Sequence, residues 1–159
     1  NVICNNEELD SLLEDMSLYW NDDKYIVDTF VLKTIKRFDE TKGADQELLP
    51  EFKDEEDREF AHRLFRNTLL NAEYYRKLIS DNTKNWEFNR IALMDLLIMQ
   101  IALAEILTFP NIPLNVSLNE YVDIAKIYST PRSGAYVNGL LDAVSKKLIA
   151  EKKLEKTNN

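Results

Sequence analysis

Only three glycines and four prolines interrupt 159 residues. A β-sandwich or barrel needs many more, because each tight connection asks for residues that reach unusual backbone angles. Long helices with few joints remain, and plentiful leucine, lysine, glutamate and alanine agree with them. The expectation is an all-α chain. At 18.6 kDa it is long enough to bury a substantial core, which suggests one compact domain.

The hydrophobic pattern places the helices. "NNEELDSLLEDMSLYW" offers Asn5 or Asn6 as an N-cap and apolar Leu9, Leu12, Leu13 and Met16 at helical spacing. "DDKYIVDTFVLKTIKRF" carries Ile26, Phe30, Ile35 and Phe38, with Lys36 and Arg37 in a last turn that favours cations. Residues 39–53 hold a glycine and a proline and read as the longest connection. From Asp54 to about Asn82 the spacing of Phe60, Leu64, Thr68 or Leu69, Ala72, Tyr75 and Ile79 predicts a single helix of some seven turns.

Between Ile91 and Leu107 only Asp95, Gln100 and Glu105 break an apolar run. Two acids and an amide argue against a membrane span and for a central helix buried on most sides. Pro110 and Pro113 end it, and Ser117-x-x-Glu120 reads as a capping box opening the next helix. Pro131 stops that one, a last helix spans about Ser133 to Ile149, and "AEKKLEKTNN" reads as a fraying basic tail. The organisation expected is therefore acidic N-terminal helices and connection over 1–53, a helical core over 54–149 and a tail over 150–159.

Charge is unevenly placed. Residues 1–60 hold 18 acids and 7 bases, a net of −11, whereas residues 61–159 hold 10 acids and 13 bases, a net of +3. The first part repels phosphate and the second tolerates it. A single cysteine, Cys4, excludes an internal disulfide and any multi-cysteine zinc site, in keeping with a reducing, cytoplasmic setting. The first residue, Asn1, is not methionine, which reads as processing or truncation.

Catalysis finds little support. The one histidine, His62, sits in a charged helix; there is no G-x-S-x-G elbow, no glycine-rich phosphate loop, no H-E-x-x-H and no C-x-x-C. The runs of acids, "DEEDRE" above all, suit solvated helix starts. No enzyme activity, cofactor or metal is expected. Binding remains. Lys126, Arg132, Ser133 and Tyr136 fall at the junction of two helices, which would offer positive charge, a hydroxyl, helix N-terminal amides and an aromatic ring. Those parts suit a phosphate and an unstacked base of single-stranded RNA. The alternative for Tyr136 is half-buried packing with a wet hydroxyl.

"STPRSGAYVNGLLDAV" places two glycines, Gly134 and Gly139, within six positions. Inside an apolar helix a glycine costs about 1 kcal/mol against alanine. The compensation expected at Gly139 is a close approach to a neighbouring helix, with Asn138 hydrogen-bonded inward or capping the preceding loop. This packing either fixes Tyr136 at the surface or serves the core alone.

Residues 95–144 resemble the C-terminal half of the bacterial antitermination factor NusB family. The matching features are an I-A-x-x-E-I helix, then N-I-P-x-x-V-S-L-N-E-x-V-x-I-A-K, then Y-V-N-G-L-L-D, in register over about fifty residues. The resemblance implies two packed three-helix bundles, the first incomplete if a leading helix has been removed. It implies binding of boxA-type RNA together with the ribosomal protein NusE, within an elongating RNA polymerase complex, to promote processive rRNA transcription. On the same ground Tyr136 takes the place of an RNA-contacting phenylalanine, Lys126 that of the A-K lysine, and Asp95 that of an acid facing NusE.

The chain departs from the pattern in several places. The arginine-rich first helix of the family is replaced by acidic "NEELDSLLEDM", and Ser129, Arg132, Pro131 and Gln100 stand where glycine, an acid, a non-proline and arginine are usual. Two other readings are a NusB-like RNA-binding domain cut from an rRNA methyltransferase, whose glycine-rich S-adenosylmethionine motif is not in these residues, and a pure protein-interaction bundle.

Overall fold

The computed structural model describes residues 6–17, 24–83 and 88–156. Every regular element among them is helical. Where the length suggested one domain, the chain divides into two compact units, Asn1–Lys53 and Asp54–Asn159. Cys4 and Asn5 lie outside the described residues.

In the first unit, α1 spans Glu7–Met16 and α2 spans Lys24–Lys36. The Asn6 side chain accepts the Leu9 N–H at 3.0 Å, an N-cap that satisfies one of the four amides a helix start leaves open. Lys24 Nζ donates to both carboxylate oxygens of Asp10, at 2.5 and 2.6 Å, and so ties α2 to α1. The apolar side chains Ile26, Phe30 and Ile35 of α2 are exposed, as is Phe38 just beyond its end. The connection to the second unit contains a short 3₁₀ turn, Gly43–Asp45, in which Gly43 takes a positive φ of 51° that a side chain would resist.

The second unit is built around one helix. Its first two, α3 (Glu55–Leu70) and α4 (Ala72–Asp81), occupy the stretch expected to be a single helix. Asp54 caps α3 by accepting the Asp57 N–H at 3.0 Å, and Glu55, Glu56 and Asp57 crowd its positive end. The break falls at Asn71, whose side chain turns back to donate to the Asn67 carbonyl at 3.1 Å. Asparagine competes for its own backbone in this way, which makes it a poor helix interior. From the next helix Gln100 donates to the Ala72 carbonyl at 3.1 Å, fastening the joint.

That next helix, α5 (Leu93–Thr108), packs against α3, α4, α6 (Leu114–Tyr128) and α7 (Ser133–Ala150). It is buried on most sides, as its apolar run implies: Met99, Ala102, Leu103 and Ala104 are wholly enclosed. Tyr75 and Ile79 of α4, Tyr121 and Ala125 of α6, and Val137, Leu141, Val144 and Leu148 of α7 complete the core. Buried apolar area of this kind is the main stabilising term. Among the described residues no helix is long and apolar enough to cross a membrane.

Two local expectations are corrected. Helix α6 begins at Leu114 behind Pro113, three residues ahead of the supposed capping box. Proline's fixed φ is already suited to a helix start, so Ser117 falls inside the helix, fully buried, with no partner for its hydroxyl among the described residues. The described part of the tail does not fray. Lys152 adopts a left-handed φ of 58°, and the Lys152 and Lys153 amides reach back to the Ile149 and Leu148 carbonyls at 3.0 and 2.8 Å. This Schellman closure turns the chain onto the bundle and buries Leu154 and Lys156.

Candidate nucleic-acid interface

The start of α5 lies beside the tight turn between α6 and α7. A pocket of about 740 Å³ opens there, lined by Arg90, Ile91, Ala92 and Asp95 on one side and Thr130, Arg132, Ser133 and Tyr136 on the other. Three of the four residues expected to bind RNA thus come together with the acid expected to face a protein partner. Tyr136 is 38% exposed, its ring half in the packing and half available. Arg132 is exposed. Among the described residues its lining carries two guanidinium groups and one carboxylate.

The turn is held by hydroxyl groups. Ser133 Oγ accepts the Thr130 N–H at 3.1 Å, which closes the turn ahead of α7. It also lies 2.8 Å from Thr130 Oγ1 and donates to Ser129 Oγ at 3.0 Å, while Ser129 Oγ donates to Asp95 Oδ1 at 2.6 Å. With the Ser133 proton directed to Ser129, Thr130 must donate to Ser133. A one-way relay therefore runs from exposed Thr130 to buried Asp95 and fastens the α6–α7 corner to α5. Ser133 is 1% exposed. Its hydroxyl is engaged inside the turn, which corrects the expectation that it is offered to a phosphate.

Lys126 stands near this corner but does not line the pocket. Its Nζ donates to Asp123 Oδ1 at 2.7 Å, one turn back along α6. Its aliphatic stem lies across the first turn of α7, where a Cβ on Gly134 would sit 2.9 Å from Lys126 Cγ. The close helix approach therefore belongs to Gly134. At Gly139 an added Cβ would meet nothing within 4 Å, so the packing role expected there is corrected. Asn138 is exposed and makes no side-chain hydrogen bond among the described residues, in place of the inward bond expected. Both face outward because α7 buries its Val137–Leu141–Val144 side.

Arg90 was not singled out from the sequence. It lies forty residues or more from the other side of the pocket, and only the docking of α5 against the α6–α7 turn brings it in. A lone base in the approach to the apolar run of α5 was the available signal.

A second buried polar contact lies between α5 and α6. Tyr121 donates its hydroxyl to Glu105 Oε2 at 2.9 Å. Burial drives the phenol pKa well above its ordinary value, and the neighbouring Glu105 charge adds to the effect. Lys156 Nζ is buried with no hydrogen-bond partner among the described residues; desolvation lowers its pKa, and Glu105 opposes the shift. Among the described residues no group of three or more His, Cys, Asp or Glu is placed to hold a metal ion.

The second unit is thus a helical bundle with arginines and a tyrosine at one corner. The chain belongs to the NusB family, whose model matches residues 25–146, a family of transcription antitermination proteins. A relative from Salinibacter ruber, named transcription antitermination protein NusB, is 41% identical over 133 residues, covering 80% of this chain and 83% of that one. One of the same name from Dictyoglomus turgidum is 34% identical, covering 72% and 81%. The solved structure of the T. maritima NusB superposes with a TM-score of 0.59 at 32% identity, over 75% of this chain and 84% of that one.

Proposed function

We propose that this protein is an antitermination factor that binds boxA-type single-stranded RNA together with the ribosomal protein NusE. In this reading it acts in the cytoplasm on the elongating RNA polymerase complex and promotes processive rRNA transcription. The observation that carries the reading is the half-exposed Tyr136 ring sharing one pocket with Arg132 and Arg90. An aromatic face beside cations is what a base and its phosphate require. NusE approaches the same end of the bundle, where α5 begins. Lys126 lies at the edge of the footprint, its ammonium already shared with Asp123.

Titration of fluorescently labelled boxA RNA, with and without NusE, tests the reading. RNA binding strengthened by NusE is expected. Tyr136→Ala should weaken it by roughly tenfold, since stacking on an aromatic ring contributes ~1–3 kcal/mol per base, with helical circular dichroism unchanged. Binding to NusE with indifference to RNA would instead make this a protein-interaction bundle.

A further inference from the structure

Further along α7 from Tyr136, a second and smaller pocket lies between α7 and α4. Its volume is about 160 Å³, and its lining includes Tyr74, Lys77 and Asp81 of α4 with Lys147, Glu151 and Lys153 from the end of α7 and the turn beyond. Each acid has a lysine of its own. Asp81 pairs with Lys77 at 3.0 Å, and Glu151 with Lys153 at 2.7 Å. Lys147 is left over: it is exposed and makes no ion pair among the described residues, although Glu151 feels its charge from further away. Tyr74 beside it is 45% exposed. A surplus cation next to a half-open aromatic ring suits a phosphate and the base attached to it. The cavity is smaller than the several hundred Å³ of an ordinary ligand site, so it admits one group rather than a whole ligand.

Position along α7 decides which ligand. Tyr136 and Lys147 are eleven residues apart, which returns a helix to the same face within about 20° and about 16 Å further on. The exposed positions of that face between them are Gly139 and Ala143, and at Gly139 even a Cβ would meet open space. On α7, nothing longer than a methyl group rises between the two pockets. The opposite bank agrees. Asp81 and Asn82 line the small pocket, and Arg90 and Ile91 line the corner pocket, so the two open in chain order along one side of α7. An acidic side chain of a protein would meet Lys147 as well, but only a continuous polyanion uses both pockets and the bare face that joins them. Resting on the RNA-binding reading above, we propose that the strand leaving the corner pocket runs along this face of α7, and that the small pocket takes one of its phosphates. Lys147 pairs with that phosphate, and Tyr74 stacks on the adjoining base.

The test uses the full chain with NusE and a boxA-type RNA in nested lengths. Each end in turn is extended by up to about five nucleotides, the number that spans this face at ~3.4 Å per stacked nucleotide. Extension at one end and not the other should raise affinity about tenfold, the scale of one stacked base. Lys147→Ala and Tyr74→Ala should each remove most of that gain and leave affinity for the short RNA within about twofold. Lys147→Ala should also flatten the salt dependence of the long RNA by about 0.7 in the log–log slope, one phosphate contact, whereas Tyr74→Ala should not. Gly139→Leu, which raises a bulky side chain on the path without touching either pocket, should abolish the gain too.

The inference is overturned if neither extension adds affinity, or if the gain survives these substitutions. A loss in the variants that is equal for short and long RNA overturns it as well, since the damage then lies in the corner or in the bundle. A protein that binds no RNA of either length refutes the underlying reading. Tight binding of the short RNA with no gain on lengthening refutes this inference alone.

Discussion

Gly139→Ala should stabilise this protein, and Gly134→Ala should destabilise it. Gly139 is the seventh residue of an 18-residue helix, and a Cβ there enters open space. Alanine exceeds glycine by ~1 kcal/mol in a helix interior, largely because an unfolded glycine has more freedom to lose. Nothing in the surroundings opposes that gain, so the thermal midpoint should rise by about 2–4 °C for a chain of this size. Gly134 is in the first turn, where the propensity gain is smaller, and its Cβ would press within 2.9 Å of Lys126 Cγ. That atom is midway along the side chain and cannot simply swing aside, so a net loss of about 1 kcal/mol is expected from overpacking. Removing the obstacle with Lys126→Ala should rescue most of it. Thermal and urea denaturation of the two single variants and the Gly134→Ala/Lys126→Ala pair measure all three terms. A lowered midpoint for Gly139→Ala, or no rescue in the pair, would refute the assignment of the close helix approach to Gly134.

Two further outcomes concern the buried polar groups. The Tyr121 pKa is raised in the folded state, so its contribution is complete below the ordinary phenol value near 10 and falls away as pH climbs beyond it; urea denaturation between pH 8 and 11 should show that decline in the wild type and a flatter profile in Tyr121→Phe. Lys156 has the opposite sense for its type, a lowered pKa, so stability should increase with pH as its unfolded-state value of about 10.5 is approached from below. Lys156→Met, which removes a buried, unpartnered ammonium, should be more stable than the wild type at pH 7 by thermal denaturation and should lack that rise.

The helices were largely legible because their information is local. The acids before α3, the apolar run of α5 and the two prolines after it each act within a turn or two, and they set the elements where expected. What escaped depends on competition or on distance. At Asn71 the periodicity of Phe60, Leu64, Tyr75 and Ile79 continues through the break, so the pattern alone predicts one helix; an asparagine side chain and a contact from Gln100 decide otherwise. At α6 two start signals compete, and proline's fixed backbone precedes serine's cap. The tail looked loose because its lysines dominate the composition, while a single leucine, Leu154, together with a left-handed Lys152 is enough to turn it inward.

The corner was legible in composition and not in arrangement. Arg132 and Tyr136 are four apart, one helical turn, and share a face by geometry alone. Lys126 belongs to a different helix, so its direction depends on Asp123 and Gly134 rather than on spacing. The close approach expected at Gly139 falls at Gly134 for a similar reason: the sequence says that a helix carries glycines, but only the neighbouring helix says which one it touches.

The hydroxyl relay from Thr130 through Ser133 and Ser129 has a single sense, since reversing any one O–H would set two donors or two lone pairs face to face. Aligned in this way, each dipole strengthens the next. An exposed threonine is thus electrically joined to an interior acid three links away. The freedom of the corner is surrendered once, when the chain folds, and not again when a guest arrives; a rigid seat of this kind forfeits less entropy on association than a loop that must first be gathered in.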